Sequence, residues 1–150
     1  MKSDKTLIWI FSGLAAVLLF MLLATDLPLG FLSGGAAKPV PGKVYELTEE
    51  NIANARRNAP ILVALFTTRG NIAGARMART LNGLADKVKD RAIVATGNLA
   101  DEPGLASRAG LKELPAWIIY RDGNEVARST GENADISAKR FIQEQTGYAP

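Results

Sequence analysis

The sequence predicts an α/β domain, a mixed central sheet flanked by helices, preceded by one N-terminal transmembrane helix. Three observations lead there. Leu7 to Ala24 is an uncharged apolar run of about the length needed to cross a bilayer as a helix. From Val44 onward, apolar runs with strand character alternate with segments of helical spacing. Asp122-Gly123-Asn124 is a hairpin signal, so the sheet is not wholly parallel. The 150 residues divide into a short N-terminus (1–6), an anchor (7–25), a Gly/Pro-rich linker (26–43), one domain (44–147) and a tail (148–150). That length supports one domain with a core of its own, and not two.

The anchor reads LIWIFSGLAAVLLFMLLA from Leu7. Leu7, Phe11 and Phe20 are bulky apolar residues facing lipid or a neighbouring helix, and Trp9 sits near one end, where an indole favours the interface. Gly13, Ala15 and Ala16 are small enough for close helix packing, and Ser12 can add an interhelical hydrogen bond. Lys2 and Lys5 precede the run, opposed only by Asp4, and Asp26 follows it. The positive-inside rule then places Met1 in the cytoplasm and the domain outside it. In a Gram-negative cell this is a single-pass inner-membrane protein with a periplasmic C-terminal domain. A cleaved signal peptide is the competing reading. Its apolar region is ordinarily roughly 7–15 residues and ends in small residues. Ala24-Thr25-Asp26 matches poorly, and Gly35-Ala36-Ala37 lies far from the apolar run. Leu27, Leu29, Phe31 and Leu32 make the linker partly apolar, fit to lie on the membrane surface or against a neighbouring protein.

Within the domain, Thr48 is a good N-cap, and Glu49 and Glu50 suit the positive end of a first helix running to about Arg57. Ala59-Pro60 stops it. Ile61 to Phe66 is apolar throughout, as in a central strand covered on both faces. Thr67 to Gly74 reads as a turn region, followed by a helix that buries Met77, Leu81, Leu84, Ala85 and Val88. Gly83 falls inside that helix, where Gly costs roughly 1 kcal/mol against Ala, and is expected to permit close approach of another element. Ala92 to Thr96 is a short strand. Pro103 to Ala109 is a short helix closed by Gly110, with Asp101-Glu102 as its capping and turn pair. Ala116 to Tyr120 and Glu125 to Ser129 form the hairpin, with Trp117 in the core. Asn133 or Asp135 caps a last helix that buries Ala138, Phe141 and Ile142.

Composition narrows the chemistry. The chain has no cysteine and no histidine. Thiolate nucleophiles, disulfides and Cys or His metal sites are excluded, together with the commonest general base. No metal, cofactor or catalytic residue is expected. The net charge of +3 lacks the basic, aromatic-interleaved stripe of a nucleic-acid binder.

Four stretches resemble thioredoxin over roughly residues 44–146: Leu47-Thr48-Glu49-Glu50-Asn51, Pro60 to Phe66, Leu114 to Gly123, and Gly131 with the final helix. The resemblance implies a thioredoxin-like fold and a cis peptide at Leu114-Pro115. The departures bear on function. Where the family carries Trp-Cys-Gly-Pro-Cys, this chain reads Thr67-Thr68-Arg69-Gly70-Asn71-Ile72-Ala73-Gly74-Ala75-Arg76, about one residue longer, and Ala64 stands where thioredoxins often bury an acid. The chain resembles a member without redox chemistry.

Two surfaces remain as candidates. Arg69, Arg76 and Arg79 lie at or near the start of the second helix, with the Gly70-Asn71 turn. Guanidiniums and a helix N-terminus suit an anion, a lipid headgroup or an acidic partner, whereas the bland alternative is a solvated basic face. The loop Leu114-Pro115-Ala116 is the second. The resemblance implies that it pairs with extended peptides, by a backbone interaction that requires no cysteine. The expected function is a non-catalytic accessory or assembly subunit of an integral membrane complex (respiratory, photosynthetic or secretion type), docked on its periplasmic face. The alternative is a membrane-tethered periplasmic holdase.

Overall fold

The structure is a computed structural model that describes residues 38–148. The expected anchor, with Leu7, Trp9, Phe11, Gly13, Ala16 and Phe20, lies outside the described residues, as does most of the linker. Among the described residues, no helix is long and apolar enough to cross a membrane.

The chain runs β1 (Tyr45–Glu46), α1 (Ile52–Asn58), β2 (Ile61–Thr67), α2 (Ile72–Val88), β3 (Ile93–Asn98), α3 (Leu105–Arg108), β4 (Ala116–Arg121), β5 (Asn124–Thr130) and α4 (Ala134–Thr146). One five-stranded sheet has the order β1-β3-β2-β4-β5. β2 pairs in parallel with β3 and antiparallel with β4, so the sheet is mixed. The apolar run of β2 feeds two cores, because successive strand side chains point to opposite faces. Ile61, Val63 and Leu65 pack with Met77, Leu81, Leu84 and Val88 of α2 and with Ala138 and Ile142 of α4. Leu62, Ala64 and Phe66 pack on the other face with Ile52 and Ala55 of α1 and Leu105 of α3. Trp117, 4% exposed, belongs to the α2/α4 core, as expected. Phe141 is only half-buried, with the Arg140 guanidinium 5.6 Å from its ring centroid.

Several boundaries move for local reasons. Thr48 does act as a cap. Its hydroxyl accepts from the Asn51 amide at 3.2 Å, and Asn51 Oδ1 accepts from the Thr48 amide at 2.9 Å. This is the reciprocity of a capping box, with regular helix only from Ile52. Glu49 and Glu50 therefore precede the first turn, which holds no acid. Glu49 instead accepts from the Gly104 amide at 2.6 Å, while Glu102 accepts from the Glu49 amide at 2.9 Å. The two carboxylates cross-cap segments 53 residues apart. α2 starts at Ile72, inside the expected turn region, because Asn71 caps it by accepting from the Gly74 amide at 2.7 Å. Gly74 is inside the helix because Thr67 leaves no space for a side chain there. Gly83 has another explanation than the one expected: nothing lies within 4 Å of where its Cβ would stand. Asn133 sits at the N-cap of α4 but makes no side-chain capping bond, and Asp135 lies in the first turn.

The hairpin follows its turn chemistry. Asp122 (φ 50°) and Gly123 (φ 82°) both adopt positive φ, as a type I′ turn requires. Arg56 lies over the Tyr120 ring, 4.5 Å from its centroid, and donates to Gly123 O at 3.2 Å, tying α1 to this turn. Burial pushes the Tyr120 phenol above its ordinary value. Its hydroxyl is buried without a hydrogen-bond partner. Tyr120→Phe removes that orphan group at unchanged ring packing, and is expected to raise stability by about 1 kcal/mol in denaturant unfolding. A loss of stability would show that the hydroxyl is satisfied.

Candidate functional site

The region where the resemblance puts the redox motif is built by the end of β2 and the start of α2. β2 delivers Thr67 beside Asn98 of β3. Thr68, Arg69 and Gly70 then turn the chain, Gly70 at φ 81°, and Asn71 opens the helix. These residues line an open hollow, together with Ile72, Thr96, Asn98 and Glu46. No thiol can stand here, because the sequence holds no cysteine. No group of three His, Cys, Asp or Glu that could hold a metal occurs among the described residues. Ala64, the strand position where the resemblance expects an acid, is fully buried and in register with Ala95 and Ile118.

The three arginines do not converge. Arg69 is exposed and pairs with Asp101, which also accepts from Asn98. Arg76 turns the other way, toward α4, donating to Glu132 O at 2.9 Å and lying 3.8 Å from Asp135. Arg79 is exposed and makes no ion pair among the described residues. The hollow is lined by Arg69 and by neither Arg76 nor Arg79. Two of the three guanidiniums thus hold the domain's own loops, and the composite anion site expected from their spacing is not assembled. Exposed ion pairs of this kind contribute about 0–1 kcal/mol, so they orient loops more than they stabilise them.

Asp101 and Glu102 are consumed too. Asp101 serves Arg69 and Asn98, and Glu102 serves the Glu49 amide, so the two neighbouring carboxylates hold different partners.

The second candidate is the loop before β4. The Leu114–Pro115 peptide is cis, as the resemblance implies. Pro115 and Ala116 are buried and Leu114 is half-buried, so the loop presents backbone and one side chain rather than three. Pro115 O accepts from the Gly131 amide at 2.9 Å. Among the described residues, no hydrogen bond engages the amide or carbonyl of Leu114. A free N–H and C=O flanking the start of a strand can receive an extended chain.

The hollow also holds one exposed apolar residue. Ile72, the first residue of α2, is 86% exposed at the lip of the hollow. The signal was present in the turn sequence, but a lone apolar residue among turn formers has no periodicity to mark it.

Arg128 of β5 fixes the start of the loop between α3 and β4. It donates from Nε and Nη2 to the two Glu125 oxygens, both at 2.7 Å, and on to Ala109 O at 2.7 Å and Gly110 O at 3.1 Å. The Arg128 hydrogen bond holds the Glu125 carboxyl below its ordinary value.

No family model and no curated protein matches the sequence. Solved structures do match. A single-residue mutant of thioredoxin from Halobacterium salinarum aligns at TM-score 0.62 and 18% identity, over 76% of this chain and 100% of that one. Thioredoxin from Malassezia sympodialis aligns at TM-score 0.62 and 13% identity, over 71% and 95%. Thioredoxin from Trypanosoma brucei brucei aligns at TM-score 0.60 and 17% identity, over 72% and 96%. At such identities the likeness is one of architecture, and what it establishes is that this cysteine-free domain has the thioredoxin fold.

Proposed function

We propose that the chain is a non-catalytic accessory or assembly subunit of a bacterial inner-membrane protein complex, tethered by Leu7–Ala24 and docking through its thioredoxin-like domain on the periplasmic face. The observation that carries this reading is Ile72. A β-branched apolar side chain is left 86% exposed at the lip of the hollow, where reactive groups would otherwise stand. Such a residue, rimmed by Arg69, Asn71 and Asn98, has the composition of an interface anchor with a polar surround. The absence of cysteine and histidine removes the usual chemical reasons to keep this surface open.

The test is mild-detergent purification of the tagged full-length chain, followed by native electrophoresis and mass spectrometry. A partner complex of fixed stoichiometry is expected, and Ile72→Asp should lower its recovery by roughly tenfold, the effect of losing an anchor of about 1.4 kcal/mol.

A second reading, a periplasmic peptide-binding holdase, is favoured by the unpaired Leu114 backbone. It expects a monomer carrying a scatter of substoichiometric clients that exchange with added extended peptide. That outcome would sink the subunit reading.

A further inference from the structure

We propose that a cleft between α2 and α4 binds a small amphiphilic carboxylate, an apolar chain or ring of about ten non-hydrogen atoms ending in an acid. The cleft lies on the sheet face served by α2 and α4 and does not depend on the reading of the Ile72 surface. Its volume is about 260 Å³. That is just under the roughly 300–1,000 Å³ of pockets that take drug-sized ligands, as suits a smaller molecule.

Three observations point to a ligand of this class. First, Trp117 lines the cleft, 4% exposed, and its indole N–H has no hydrogen-bond partner. Buried indoles ordinarily find an acceptor, and this one has none, in a side chain that packs beside Leu84, Ala138 and Ile142 at the base of the cleft. Second, Gly83 opens into the same cleft. It sits in the middle of a helix with free space where a Cβ would stand, so neither a turn nor a close approach requires it. A larger residue would occupy the cleft. Third, the lining carries Lys87 from α2 and Lys139 from α4, one cation from each wall, and Lys87 Nζ lies 5.3 Å from the Tyr148 ring centroid. The acid in the lining is Asp135, which faces Arg76 at 3.8 Å. The balance is positive, and an apolar cleft with an exposed lysine on each side selects an apolar body with an anionic end.

The experiment uses the full-length chain in detergent-free lipid nanodiscs, with Trp9→Phe so that Trp117 is the sole indole. The probes are octanoate and its neutral isostere octanamide. Octanoate is expected to shift Trp117 emission saturably, with a dissociation constant in the millimolar range or below, as a ligand of this size allows. Octanamide should bind about tenfold more weakly. Gly83→Leu should abolish the octanoate response, and a thermal scan checks that it folds. Lys87→Ala with Lys139→Ala should erase the preference for octanoate over octanamide without changing the fold. No saturable response up to about 10 mM octanoate, a response that Gly83→Leu leaves intact, or equal affinity for both probes in the parent chain would each overturn the proposal.

Discussion

Gly74→Ala is expected to lower the melting temperature by about 8–15 °C, against the propensity rule that Ala is worth about 1 kcal/mol more than Gly inside a helix. A Cβ on Gly74 would overlap Thr67 Oγ1 and lie 2.8 Å from Thr67 Cβ. Rotating the Thr67 side chain moves its oxygen but not its Cβ, so the helix or the strand must shift. β2 cannot easily yield, because Thr67 is in register with Asn98 and the preceding Phe66 is fully buried. The start of α2 is equally committed, by the Asn71 cap on the Gly74 amide. Overpacking of this kind costs about 1–3 kcal/mol, and more where backbone must move. Here backbone must move, which puts the cost above that range, at about 3–5 kcal/mol, so that about 2–4 kcal/mol remains after the propensity gain of about 1 kcal/mol. The check is a double-mutant cycle with Thr67→Gly, which should recover at least half of the loss. Additive effects would show that the two residues do not meet.

Leu105→Ala is the second large effect, about 3–4 kcal/mol in denaturant unfolding. Leu105 is fully buried in the core beneath α1, and it is the buried residue of a helix only four residues long. One helical turn does not persist on its own, because nucleation costs more than its few hydrogen bonds return. α3 therefore depends on Leu105, on the Glu49–Gly104 bond and on Arg128 at the Ala109 and Gly110 carbonyls. Removing the apolar peg should loosen residues 99–114 ahead of the rest of the domain. Hydrogen exchange would rise there first, and the Arg69–Asp101 contact at the hollow would weaken with it. Uniform exchange across the domain would refute this local dependence.

What the sequence shows and what it hides follow from how far each determinant reaches. β2 is legible because an unbroken apolar run has one common meaning in an α/β pattern, burial on both faces. The hairpin is legible because Asp122-Gly123 encodes its own positive φ. Trp117 is legible as core because it lies within a strand otherwise apolar from Ala116 to Ile119. The start of α2 is hidden because Gly74 reads as a turn residue until Thr67 is seen against it. The arginines illustrate the same limit at the candidate site. Their spacing along the chain suggests one cluster, but Arg69 is directed by Asp101 and Arg76 by Glu132 and Asp135, none of these partners near in sequence. The cross-capping of Glu49 and Glu102 spans 53 residues and leaves no local trace. Gly83 is visible as an anomaly, but its meaning, an opening between helices, requires both walls of the cleft.

The sheet order also decides how safely many copies of the domain can be crowded together. A five-stranded sheet ends in two strands with one neighbour each, and such strands invite pairing with another chain. At one end β1 is two residues long, too short to template a growing ribbon. At the other, β5 is seven residues long, and its pairing with β4 shifts register between Ile119 and Tyr120. It carries Glu125 and Arg128, locked to each other and to the α3 loop. Charged side chains and irregular register on an edge strand are two of the devices that discourage pairing with another chain. The bidentate clasp that anchors the loop thereby also adds charge to the sheet's longer open flank.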